Sequence, residues 1–405
     1  MSDDLTAVFR VSATVMEPVK YSALREAVEI TSKRFPYFSV SLGSGLFWHF
    51  LEFNDKLPRI QAEEDVPCTS FAVTRKDELL YRIIVRGRRI SVEFIHILTD
   101  GGGALEYLKS LLYTYLTITG NNIDSPDNII LPETPISDEE FEDGYNKYFR
   151  KLPPPTKMLK VWHLPYKLNK KPRLKVIQSE VNINEIIGKA RSFKVSLTEY
   201  LTSVYLISLQ KIYLEEKKKR RQKHQILRIE VPLNLRKQFP SRTMRNFSLY
   251  VLPEIDMRLG TYTFEEISRA VHHQLQMSSE SKQIARFLSS NVSYEKLFVV
   301  RILPLFIKKM AITSIYRGFA SRRWTGIVTN LGLINLPGNM QQLVDSVEII
   351  PPPPNPNIKV SMGLVSFKDK LRICFCNISQ SNELERLILK HLTDDGIHVR
   401  ILNNQ

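Results

Sequence analysis

Over residues 130–173 the hydrophobic periodicity that runs through the rest of this chain stops, and prolines, acids and lysines replace it, including Pro153-Pro154-Pro155 and Lys170-Lys171-Pro172. A stretch with no apolar repeat builds no core of its own, so the chain reads as two lobes, residues 1–150 and 174–405, joined by a crossover at 151–173. The length agrees. A chain of 405 residues exceeds one ordinary core and suffices for two lobes of roughly 150–200 residues each. The connection is long enough that part of it, around 138–149, is expected to carry a helical turn or to drape over a lobe.

In the first lobe, alternation over 7–15 predicts a strand, and the spacing of Leu24, Ala27, Val28 and Thr31 predicts a helix over 21–35, ended by Pro36. Further strands are predicted at 37–42, 46–53, 68–74, 80–85 and 90–95, the last two joined by the hairpin Arg86-Gly87-Arg88-Arg89, with a helix over 102–119. Past the crossover, strands are predicted at 174–181, 226–232, 247–252, 326–329, 346–350, 359–366 and 371–376. Helices are predicted from Ser196 and at 264–277, 303–319 and 382–392. Ser196-Leu197-Thr198-Glu199 has the spacing of an N-cap whose glutamate follows three residues later. Helices and hairpin-linked strands in both halves imply an α/β (α+β) architecture with mixed sheets.

The N-terminal MSDDLTAVFR carries acids where a secretory signal would be basic, and no apolar segment reaches spanning length, so a cytoplasmic location is expected. Cys68, Cys374 and Cys376 are too few for a disulfide framework, and a strand would turn the last two to one face; plain buried thiols are expected, with no metal site. Net charge is +15, densest at Lys217, Lys218, Lys219, Arg220, Arg221 and Lys223. That run reads as a solvated loop, or as a surface for an anionic partner such as lipid head groups, an acyl carrier protein or the phosphates of CoA. Without interleaved aromatics or an accompanying motif, nucleic acid is not expected. Over 303–319, Lys308, Lys309 and Arg317 stand among Leu305, Phe306, Ile307, Met310 and Ile312. This fits a basic amphipathic helix on a membrane surface or a lobe helix with a basic edge.

The segment richest in chemistry is Phe94-Ile95-His96-Ile97-Leu98-Thr99-Asp100-Gly101-Gly102-Gly103, where a predicted strand gives way to a helix. An imidazole with an ordinary pKa of about 6.5 is mostly neutral at cellular pH and can take a proton. Four residues on, Asp100 can fix the turn, and glycines let the backbone bend and a substrate approach. Spacing alone leaves a core or loop histidine and a plain strand-to-helix turn open.

His-x-x-x-Asp-Gly at a strand end before an amphipathic helix resembles the signature of the superfamily of chloramphenicol acetyltransferase, nonribosomal peptide condensation domains, plant BAHD acyltransferases and alcohol acetyltransferases. The nearest likeness is to the alcohol acetyltransferase-like branch. Two more segments fit in order. Val231-Pro232-Leu233-Asn234-Leu235-Arg236, followed by Arg245-Asn246-Phe247, resembles the superfamily's arginine segment, although Arg236, Arg242 and Arg245 also read as loop cations. Val328-Thr329-Asn330-Leu331-Gly332 resembles its Asn-x-Gly strand end. Where many members have two adjacent histidines, this chain has Ile95 before His96, and the Asp-Phe-Gly-Trp-Gly segment of the BAHD branch does not occur.

The resemblance implies two chloramphenicol-acetyltransferase-like lobes meeting at a tunnel, with acyl-CoA as co-substrate, no bound cofactor, and an alcohol or amine as acceptor. It implies His96 as general base and Asp100 as a positioning residue paired with Arg236. Gly101, Gly102, Asn246, Thr329 and Asn330 are then structural or line the tunnel, where Thr329 or Asn330 can hold the acyl oxygen as it becomes negative. A carrier-protein donor and a non-catalytic binding relative of the fold are the alternatives.

Overall fold

A computed structural model of the chain describes residues 6–310 and 323–402, apart from 74, 76 and 125. Among the described residues the strands are β1 (Val8–Val15), β2 (Val40–Ser44), β3 (His49–Phe53), β4 (Ile60–Ala62), β5 (Tyr81–Arg86), β6 (Arg89–Ile95), β7 (Lys175–Asn182), β8 (Ile226–Asn234), β9 (Ser248–Val251), β10 (Glu254–Asp256), β11 (Gly326–Ile334), β12 (Val344–Ile350), β13 (Val360–Phe367), β14 (Lys370–Asn377) and β15 (Val399–Leu402). They form two mixed sheets and a hairpin. The first sheet has the order β12-β1-β6-β5-β4 and is antiparallel except where β4 meets β5. The second has the order β10-β8-β11-β13-β14-β7-β15, with β9 also on β8, and is parallel at β8/β11 and β11/β13.

Each sheet buries its apolar face under helices. Helices Tyr21–Arg34 and Gly101–Ile118 pack together over the first sheet, around Val11, Leu24, Phe94 and Leu111. The long helix Leu197–Lys219 covers the second sheet, flanked by Phe264–Ser278 and Glu383–Asp394, around Tyr205, Ile229, Met362 and Phe375. Ser196 and Glu199 cap that helix reciprocally, as their spacing predicts. β14 serves both cores. Ile373 and Phe375 point into the second, while Cys374 and Cys376 lie in the first as buried free thiols. Burial on both faces is why this strand reads as a nearly continuous apolar run.

The lobes are also joined by topology. β12 follows residue 340 in the chain yet pairs with β1, Val11 opposite Ile349 and Ala13 opposite Val347, and so completes the first sheet. The crossover is anchored as well: Asp138–Phe141 forms a 3-10 turn and Gly144–Lys147 a helical turn. Glu140 receives both ends of the buried Arg34 guanidinium at 2.8 Å.

Three expectations are corrected. Residues 68–73 are not a strand: Cys68 takes a positive φ of 58° and its N–H donates to the Glu93 carboxylate at 2.8 Å, a side-chain bond in place of a ladder. Lys217, Lys218 and Lys219 are in the last turn of helix Leu197–Lys219 rather than a loop, where cations suit the helix end; Lys218 pairs with Glu215 and Lys219 with Glu216. The helix expected over 303–319 is interrupted at Pro304, between helix Phe298–Ile302 and helical residues 305–310; residues 311–319 lie outside the described residues. Helix Ser281–Lys296 was not anticipated, and it closes a third small core with Leu235, Phe247 and Leu249. No helix among the described residues is long and apolar enough to cross a membrane.

Candidate active site

β6 runs through the first core and ends at Ile95, so His96 emerges where the strand leaves the sheet, its N–H held by the Ala7 carbonyl at 2.8 Å. The imidazole packs on Phe9, ring centroids 5.0 Å apart. Asn246 approaches from the second lobe. Its Nδ2 donates to the His96 carbonyl at 2.9 Å and lies 3.3 Å from Nδ1, while its Oδ1 accepts from the Ser248 hydroxyl at 2.8 Å, which fixes the amide's orientation. Nδ1 therefore faces protein. Burial lowers the His96 pKa below its ordinary 6.5, against opposing effects of a hydrogen bond to its own carbonyl and the negative charge of Asp100. A neutral imidazole at cellular pH is the form that accepts a proton.

Asp100 is buried and caps helix Gly101–Ile118. Its Oδ1 accepts from the N–H groups of Gly102 and Gly103 at 3.0 and 3.2 Å, the ordinary work of an N-cap. Its Oδ2 accepts from Arg236 Nη1 and from the Phe247 N–H, both at 2.8 Å. The same guanidinium holds the carbonyls of Thr243 and Arg245 and the Asn234 side chain. A carboxylate with four donors is a structural joint. It ties the turn after His96 to the strand that brings Asn246.

Gly103 is required by this close approach, and Gly101 sits close to a neighbouring side chain. A Cβ on Gly103 would stand 2.6 Å from the Met244 carbonyl, which also accepts a bond from Thr99 at 2.6 Å, and one on Gly101 would strike the Leu331 side chain. At Gly102 the nearest atoms are Asp100 Oδ1, Asn234 and Arg236, all at or beyond 3.2 Å, so the turn is less tight there.

No family model matches the chain, and no curated protein matches it. Solved structures do. The epimerization domain from the third module of tyrocidine synthetase B superposes with a TM-score of 0.61 at 11% identity, over 97% of this chain and 91% of that one. F. sporotrichioides TRI101 complexed with coenzyme A and T-2 gives 0.63 at 10% identity, over 99% and 97%. Polyketide synthase associated protein 5 from Mycobacterium tuberculosis gives 0.56 at 13% identity, over 95% and 92%. This is the chloramphenicol-acetyltransferase-like, condensation-domain fold. At such identities the likeness is one of fold.

Within that condensation-domain fold, the structure brings together His96, Asp100, Gly101, Gly102, Arg236 and Asn246. Asn330 is differently engaged. Its Nδ2 donates to Thr198 at 3.0 Å and its Oδ1 accepts from the Gly332 N–H at 2.8 Å, which pins the irregularity in β11 where Gly332 has a φ of +80°. Thr329 is half-buried on the same strand. Their neighbour Leu331 is the one that reaches the Gly101 turn.

One group was missed. Glu230, on β8, forms no hydrogen bond or ion pair among the described residues, and burial pushes its pKa up to about 8. Its charge acts on Tyr250 of β9, whose ring lies 5.3 Å from that of Trp324. From Asn246 the residues of one face run Ser248 and then Tyr250, so Glu230 lies along the second lobe's wall leading away from His96. An acid between the apolar residues Ile229 and Val231 of β8 was the available signal. A cavity of about 1120 Å³ opens elsewhere, between Arg10, Glu348, Arg372 and Glu180, and His96 is not in its wall.

Proposed function

We propose that this chain transfers an acyl group from acyl-CoA to an alcohol or amine, with His96 as general base, in the manner of alcohol acetyltransferases. Nε2 takes the acceptor's proton as its oxygen or nitrogen attacks the thioester carbonyl. The C–S bond then breaks and the thiolate leaves with that proton. A thioester already has a good leaving group, so a base and a positioned acceptor suffice, and base assistance contributes about 10²–10⁴-fold. The observation that carries this reading is the place of His96 at the lobe junction, its carbonyl bonded by Asn246 and the turn after it fixed by the Asp100–Arg236 pair. The coenzyme A in the TRI101 complex supports CoA as donor carrier.

The test is thiol release from acyl-CoA of several chain lengths against a panel of alcohols and amines. His96→Ala should lose at least about a hundredfold in rate with an unchanged melting curve. Full turnover in that variant overturns the reading. Likeness to a tyrocidine synthetase domain favours a second reading, with an acyl carrier protein as donor. Faster turnover with acylated carrier than with acyl-CoA would select it.

A further inference from the structure

The hairpin β2–β3 leaves its apolar side chains uncovered. Leu46 is 70% exposed and Phe53 68%, with Phe47, Trp48, Phe50 and Leu51 also exposed. Beside it, helix Phe298–Ile302 and residues 305–310 expose Phe298, Val299, Ile302, Phe306 and Met310. The two segments are bonded to each other. The Leu305 N–H donates to the Leu46 carbonyl and Lys308 Nζ to the Phe47 carbonyl, both at 2.8 Å, and that ammonium stands 3.4 Å from the centre of the Trp48 ring. Hairpin tip and helices thus form one apolar surface, of the kind that marks an interaction site.

Charge narrows the partner. Residues 297–310 contain Arg301, Lys308 and Lys309 and no acid, Lys296 precedes them, and the chain as a whole carries +15. Lys308 is buried against the hairpin, while Lys296, Arg301 and Lys309 are exposed. Glu52 on β3, Asp55 just after it and Glu295 before the helix are the nearby acids in sequence. A symmetric pairing of two copies would bring two such cation-bearing surfaces together. We propose that this surface docks on an anionic lipid bilayer, with the aromatic and aliphatic side chains entering the interfacial layer and Arg301 and Lys309 meeting head groups. This does not depend on the acyl-transfer reading.

Vesicle flotation of the full chain tests it, with phosphatidylcholine alone and with about 30% phosphatidylserine, at low and high salt. Binding to the anionic vesicles at low salt, weakened by salt, is expected, with Trp48 emission quenched by brominated lipids and that quenching lost in Trp48→Phe. Leu46→Ser, Phe298→Ser and Phe306→Ser together should lower partitioning about tenfold or more. Arg301→Glu with Lys309→Glu should remove the preference for anionic lipid. Melting curves check the variants, and the quenching on unaltered protein stands without them. No flotation at low salt, no quenching of Trp48, or a triple variant that floats like the parent overturns the proposal. A dimer in sedimentation that the triple variant dissociates also overturns it and assigns the surface to a second copy.

Discussion

An imidazole serves as a base only while uncharged, and burial of His96 extends that range downward in pH. The acidic limb of kcat/KM should therefore have its midpoint below pH 6.5, read from a pH–rate profile with acyl-CoA; a midpoint above 6.5 would mean that another group titrates in the rate. Glu230 gives the opposite dependence. Its folded pKa of about 8 is above the ordinary 4.5, so between these values the unfolded chain holds fewer protons than the folded one. Stability should then fall as pH rises from about 4.5 to about 8, by on the order of 1–3 kcal/mol since the side chain is only half-buried by exposure. Glu230→Gln should flatten that slope in urea unfolding across pH. An unchanged slope would show that the carboxyl ionises freely in the folded protein.

Elements, rather than single side chains, hold the turn after His96. Helix Gly101–Ile118, the end of β8 and the start of β9 converge on Asp100, and Arg236 is its ionic partner. Asp100→Asn leaves a largely buried guanidinium uncompensated and should cost about 3–5 kcal/mol, seen as a lower Tm together with a lower rate. Gly103→Ala should push the Met244 loop away and destabilise by about 1–3 kcal/mol, with the rate falling as Asn246 moves. A melting curve like the parent's would show that the loop relaxes freely. Much of this was legible: the strand, turn and helix around His96 follow from periodicity, and the pairing of Asp100 with Arg236 was implied by the resemblance to the superfamily's arginine segment. What was not legible depended on partners distant in sequence. Residues 68–73 have strand-like composition, yet Glu93 draws the Cys68 backbone out of a ladder. Asn330 has the residue type of an oxyanion donor, but its amide bonds to Thr198 on a helix more than 100 residues away. Glu230 escaped notice because pattern reading marks an acid in a strand as solvent-facing, and only the packing around β8 and β9 shows it enclosed.

At the scale of the molecule, the two sheets do not each keep to one side of residues 151–173: β12 follows them in the chain and pairs with β1, which precedes them. Two mixed sheets were foreseeable from the alternation of elements in each half, but not that one strand of the later half completes the earlier sheet. Residues 1–173 made alone should be insoluble, and co-expression with 174–405 should restore a soluble complex; a stable, monomeric 1–173 would show that β1 tolerates an open edge. The same pairing imposes an order in time. On the ribosome β1 is made first, and its partner β12 follows roughly 330 residues later, tens of seconds at about 5–20 residues per second. During that interval one side of β1 offers unpaired N–H and C=O groups to whatever chain passes. Its sequence, VFRVSATV, places Arg10 in that strand, where it pairs with Glu93 and Glu63 of the same half. Nascent chains of this protein should therefore be clients of a holdase until translation passes residue 350.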